Sequence, residues 1–150
     1  MIQGNLAAFT AYMFQHMPDW RREGAQGAPP KEPPPQAAAR AGTWFLSLSP
    51  EIRGFAILGP RGLLASSDET DEWLEPARAL LAAADDAAGG FASHAHVATE
   101  EGEAYAVRHA GLAIVAVTER FTLASLVLAD MRAALRDLVA GAFQAQPEAA

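Results

Sequence analysis

Residues 111–118 read Gly-Leu-Ala-Ile-Val-Ala-Val-Thr. In an extended chain Leu112, Ile114 and Ala116 point to one side, and Ala113, Val115 and Val117 to the other. Both sides are apolar, so a strand buried on both faces is expected, inside a sheet with a packed layer on each side. Upstream, residues 54–59 (GFAILG) share this character and are expected as a second central strand. Pro60-Arg61-Gly62 supplies a turn, Pro setting φ and Gly allowing positive φ. Residues 63–67 then return as a short strand, and the polar run SSDETDE that follows marks it as a sheet edge.

Between these landmarks, residues 103–109 form a strand and residues 91–100 alternate loosely. In the latter, His94, His96 and Glu100 face one way and Ala95, Val97 and Thr99 the other, as in a half-exposed strand. Glu101-Gly102 and Ala110-Gly111 are tight turns, so three consecutive strands make an antiparallel meander. Residues 120–143 are expected as a long helix with Leu123, Leu126, Val127, Met131, Leu135, Leu138 and Val139 on its apolar face. A short helix is expected over 37–48, burying Trp44, Phe45 and Leu48, with Gly42 weakening it by about 1 kcal/mol relative to Ala.

Residues 70–88 (TDEWLEPARALLAAADDAA) read as a helix. Acidic residues near its start suit the dipole, and Gly89-Gly90 ends it. Pro76 is comfortable only in a first turn, so regular helix is expected from about Trp73. Trp73, Ala77, Leu80, Ala84 and Ala87 line one face, and Leu74, Leu81 and Ala88 widen it. This arc exceeds the roughly 100° that covers a sheet. Close packing against a second helix accounts for the surplus; so does the chain's general bias towards Ala, the best helix former.

Residues 1–22 are expected as an amphipathic helix, with Ile2, Leu6, Phe9, Met13, Met17 and Trp20 in one stripe, Asn5 as a cap at its start and Pro18 ending or kinking it. Such a stripe packs on its own domain or docks on another chain. Residues 23–36 (EGAQGAPPKEPPPQ) hold five prolines and two glycines and read as a linker. PPKEPPP is either a plain spacer or a ligand for an aromatic groove. The main domain is then 37–143, with a frayed tail over 144–150.

Among 150 residues there is no cysteine, which excludes disulfides, thiolate metal sites and thiol nucleophiles. That fits a reducing compartment, and a cytoplasmic location is expected. Eleven basic residues against 18 acidic give a net charge of -7, which argues against nucleic acid as a partner. Ten of the eleven basic residues are Arg. The N-terminal stretch has no basic leader, and Gln3, Asn5, Gln15 and His16 interrupt its apolar residues, so neither a signal peptide nor a transmembrane segment is expected.

Catalytic signatures are weak throughout. His94 and His96 project from one strand face about 6.6–6.8 Å apart, a span that zinc bridges, and Glu100 and Glu103 are near. Yet the spacing matches no standard ligand set, and no metal is expected. Glu100, Glu101 and Glu103 flank a turn and read as solvated. Ser66 and Ser67 lack a nucleophile elbow. Gly59-Pro60-Arg61-Gly62 is a hairpin turn rather than a phosphate cradle, and Arg61 at its tip reads as an exposed turn residue.

The order short helix, strand, turn, strand, helix, three-strand meander, long helix, with GFAILGPRGLLASS (54–67) and GLAIVAVTERFTLASLVLADMRAAL (111–135), resembles the roadblock/dynein light chain family over about residues 37–140. Two features depart from it: an acidic turn before the first Gly is replaced by Gly59-Pro60-Arg61-Gly62, and residues 1–36 have no counterpart. The resemblance implies an α+β domain of three layers, α/β/α. Its five-stranded antiparallel sheet has the order 2-1-5-4-3, with one helix on one face and two on the other. It also implies a homodimer built by pairing third strands and packing middle helices. Members act as non-catalytic platforms without cofactors, often for small Ras-like GTPases, and bacterial members include regulators of polarity and signalling GTPases. Carried onto this chain, the interface comprises Trp73, Ala77, Arg78, Leu80, Leu81, Ala84 and Asp85 on the middle helix and His94, His96 and Ala98 on the third strand. Arg78 and Asp85 are expected exposed, tuning encounter, with Leu81 as an apolar anchor. Two other classes compete with this adaptor. A small-ligand sensor on a profilin- or PAS-like sheet needs an enclosed pocket between sheet and helix. A metal-dependent enzyme rests on the histidine pair alone.

Overall fold

The doubly apolar stretch is the middle strand of five. The structure, a computed structural model, describes residues 32–144. In chain order these form α1 (Pro35–Ser47), β1 (Ile52–Gly59), β2 (Gly62–Ser66), a 3-10 turn (Asp71–Trp73), α2 (Leu74–Ala88), β3 (His94–Ala98), β4 (Glu103–His109), β5 (Leu112–Thr118) and α3 (Ala124–Val139). The expected helix over 1–22, most of the linker and the tail from 145 onward lie outside the described residues.

The strands make one antiparallel sheet in the order β2-β1-β5-β4-β3. β5 pairs with β1 along Phe55↔Ala116 and Ile57↔Ile114, and with β4 along Tyr105↔Ala116 and Val107↔Ile114. Alternation then sorts the side chains. Phe55, Ile57, Tyr105, Val107, Leu112, Ile114 and Ala116 meet α1 and α3; Ala56, Leu58, Ala95, Ala106, Ala113 and Val115 meet α2. Two helices therefore cover one face and one covers the other, as expected. Ala110 (φ 51°) and Gly111 (φ 81°) form the two-residue β4–β5 turn, whose paired positive φ values match the twist of a hairpin.

Several elements differ from expectation. α1 starts at Pro35, which suits a first helical turn because its missing N–H has no partner to lose. Its buried face is Ala37, Ala38, Ala41, Gly42 and Phe45; Trp44 is half-buried, and Leu48, beyond the last turn, is exposed. Gly42 is no mere weakness: the Phe55 ring occupies the space a Cβ would need there. α3 is shorter than 120–143. It buries Val127, Met131, Ala134, Leu135 and Leu138, while Leu123, Leu126 and Val139 are exposed. β3 spans five residues rather than ten. α2 follows a 3-10 turn, so Pro76 falls in its first turn, and Gly89 (φ 70°) closes it in the left-handed conformation.

Candidate interaction surface

α2 lies on a floor of small residues. Of its fifteen residues only Ala77 is fully buried; Leu74, Leu80, Leu81 and Ala84 are half-buried against Ala56, Ala95, Ala106, Ala113 and their neighbours. Trp73, at the helix start, is also half-buried. Its ring packs against Gly54, where a Cβ would lie 2.7 Å from Trp73 Cζ2, and its Nε1–H donates to Asp68 at 2.8 Å. Arg78 is exposed, with Glu75 at 3.8 Å in a solvent-screened pair.

Asp85 corrects the sequence reading. It is not an exposed tuning charge but a half-buried pin. Arg108 of β4 donates from Nη2 to Asp85 Oδ2 at 3.0 Å and from Nη1 to Oδ1, and Ala92 N–H donates to Oδ1 at 2.9 Å. Arg108 also donates to the Ala92 carbonyl and lies over the Phe91 ring at 4.7 Å. The Arg108 guanidinium holds the Asp85 carboxyl below its usual value, against the opposing effect of burial, with the Ala92 bond adding to it. This knot fixes the chain between α2 and β3 and explains why residues 91–93 are not strand.

β3 is a sheet edge, but its three chosen residues do not join the α2 surface. Ala95 faces α2, so His94, His96 and Ala98 face the α1/α3 layer. His96 stacks flat on Tyr105, with centroids 4.4 Å apart. Burial pushes the His94 imidazole below its usual value, and Arg132 on α3 adds to the effect. Among the described residues no group of three or more His, Cys, Asp or Glu side chains is placed to hold a metal ion.

A polar network escaped the sequence reading. Glu103, read as solvated, is 8% exposed. Its Oε1 is 2.9 Å from His96 Nε2, and its Oε2 accepts from Thr122 N–H at 2.8 Å and from the Thr122 hydroxyl. Tyr105 Oη lies 2.8 Å from Thr122 Oγ1, and Thr118 Oγ1 lies 3.2 Å from it. Since the Thr122 hydroxyl donates to Glu103, Tyr105 donates to Thr122. These bonds, Thr122's hydroxyl first, hold the Glu103 carboxyl below its usual value despite its burial. Strand parity was the available signal, since Glu103 shares a face with Tyr105 and Val107. The network ties edge strand, sheet interior and the start of α3 together, and every atom in it has a structural partner.

Against solved structures the chain is similar to a roadblock/LC7 domain from Streptomyces avermitilis, with a TM-score of 0.58 and 14% identity over 67% of this chain and 92% of that one. It is also similar to Myxococcus xanthus MglB, with a TM-score of 0.59 and 11% identity over 76% and 95% of the two chains. The fold is that of a roadblock/LC7 domain. No protein-family model and no curated protein matches the chain by sequence. On this roadblock fold α2 is the middle helix and β3 the third strand, so the two elements named from the resemblance are neighbours at one edge. The opposite edge carries a groove of about 470 Å³ between α1 and β2, lined by Pro35, Ala39, Thr43, Leu46, Phe55 and Leu64 and, from the loop after β2, by Ser67, Glu69, Thr70 and Asp71. It lies open at the sheet's margin, not enclosed between sheet and helix as a ligand sensor requires. No helix among the described residues is long and apolar enough to cross a membrane.

Proposed function

We propose that this chain is a non-catalytic, dimeric adaptor of the cytoplasm that binds a small Ras-like GTPase and regulates it in signalling. The observation that carries the reading is the state of α2. It is a fifteen-residue helix with one fully buried residue, half-covered Leu80, Leu81 and Ala84, and an edge strand beside it. A helix face of this kind needs a second layer, and an edge strand invites pairing. Two copies joined through β3 and α2 satisfy both needs with one isologous contact. The paired helices then present Arg78 and the flanks of Leu81 as the platform for the GTPase, whose switch loops the platform orders.

The test has two arms. Light scattering measures the mass in solution, which is expected to be twice that of one chain. A pull-down then compares a Ras-like GTPase loaded with a GTP analogue or with GDP. Preferential capture of one nucleotide state supports the reading. An intact dimer that captures neither state overturns the GTPase assignment and brings the ligand-sensor alternative forward.

A further inference from the structure

The groove at the β2 edge lies beside the point where the N-terminal segment joins the described residues. Glu32 sits at the β1–β2 hairpin tip, its Oε2 3.3 Å from Arg61 Nη2, and Pro33 is buried. Two residues later α1 begins, and its first turn is already the groove wall. From Pro35 to Leu46 that wall runs eleven residues, about 17 Å of helix. Its apolar lining includes Leu46 and Leu64, both only half-buried against the core. At the far end, away from the hairpin tip, the loop after β2 carries Glu69 and Asp71 on the rim, with Asp68 and Glu72 adjacent and exposed.

The segment before the linker has the complementary features. Phe9, Met13 and Met17 recur at helical spacing over about 12 Å, and Pro18 then ends or kinks the helix before Trp20. Arg21 and Arg22 follow at once, two adjacent cations for a rim with four carboxylates. With Arg21 and Arg22 at that rim, residues 23–31 must return to the hairpin tip. Nine residues, with Pro29 and Pro30 among them, reach at most about 30 Å when fully extended, enough for the span.

We infer that residues 9–22 of the same chain dock in the α1–β2 groove, parallel to α1 and helical as far as Pro18, with their apolar stripe on Leu46 and Leu64 and Arg21–Arg22 against the acidic loop 68–72. The mode is an amphipathic helix laid into an apolar groove, and the short tether gives the docking helix a high effective concentration. The inference is independent of the GTPase reading, since it concerns the opposite edge of the sheet.

The chain has no cysteine, so introduced pairs report cleanly. In the full chain, Met13→Cys is combined with Ala39→Cys in the groove wall or, as a control, with Arg120→Cys before α3. Disulfide formation under mild oxidation is expected to be roughly tenfold faster for the groove pair and to stay within one chain, as the tether's effective concentration requires. Arg21→Glu with Arg22→Glu is expected to slow it, and adding Glu69→Lys with Asp71→Lys to restore it. Equal rates for the two pairs overturn the docking. A disulfide between chains overturns its intramolecular form and assigns the groove to a second copy. A rate indifferent to both charge reversals overturns the orientation.

Discussion

Glu103 keeps its charge while buried because Thr122 gives it two donors and His96 a third neighbour. Its carboxyl titrates below its ordinary value of 4.5 in the folded chain. A lowered folded value means that the group stabilises the fold above its ordinary value. That contribution is lost as the pH falls through the folded value. The melting temperature should therefore drop on acidification below about pH 4.5, and Glu103→Gln should make that acid limb shallower, at a cost of about 1–3 kcal/mol at neutral pH. Thermal melts of both forms from pH 3 to pH 7 measure it; parallel acid limbs would show that Glu103 is not the titrating group. Strand alternation places Glu103 inward, but an acidic cluster beside a turn reads as solvated. Its donors lie nineteen residues away, and no spacing rule reaches them.

At the scale of elements, Gly42 and Asp85 separate local propensity from tertiary packing. On propensity alone Gly42→Ala should stabilise α1 by about 1 kcal/mol. Here the new Cβ would meet the Phe55 ring, buried between helix and sheet, so the substitution should destabilise by about 1–3 kcal/mol in urea unfolding. Asp85→Ala removes the acceptor for Ala92 N–H and the partner of Arg108. Because the pair is partly solvent-screened, the expected loss is about 1–2 kcal/mol, read by the same unfolding curves. The type and order of the described α-helices and strands were legible from apolar periodicity. Their ends were not: β3 is cut short by the Asp85 knot, and α3 by where Thr122 anchors the chain. Leu126 on α3 and Leu123 just before it fit the helical stripe yet lie exposed, because the sheet and α1 reach only the stripe through Val127, Met131 and Leu138.

For the whole molecule, the central place of β5 and β1 and the layer on each face were readable because both strands are apolar on both sides, whereas the sheet order followed from the family resemblance. The residues assigned to the proposed interface do not share one face, since parity turns His94, His96 and Ala98 away from α2. This parity gives a way to test the dimer. Thr99 N–H bonds to Gly102 and Ser93 accepts from Arg108, so in an antiparallel ladder the N–H of Ala98 points away from β4. Ala98→Pro therefore removes an outward donor and spares the internal ladder. Sedimentation should show a weaker dimer with an unchanged melting profile at concentrations where both forms are monomeric. A dimer of wild-type affinity would place the contact elsewhere.

The sheet's two sides are unequal. One is filled by Phe45, Phe55, Tyr105, Met131 and Leu135; the other is floored mainly by Ala56, Ala95, Ala106 and Ala113. At about 25 cal/mol per Å² of apolar surface removed from water, an alanine floor gives a helix little to hold. α2 should therefore open on its own, ahead of global unfolding, hinged at the Asp85–Arg108 knot. In native-state amide exchange its protons should be replaced through small, denaturant-insensitive openings, while those of β5 wait for the whole chain to unfold. A partner seated on α2 would then be felt first as slowed exchange in that helix, even at affinities too weak to survive a column.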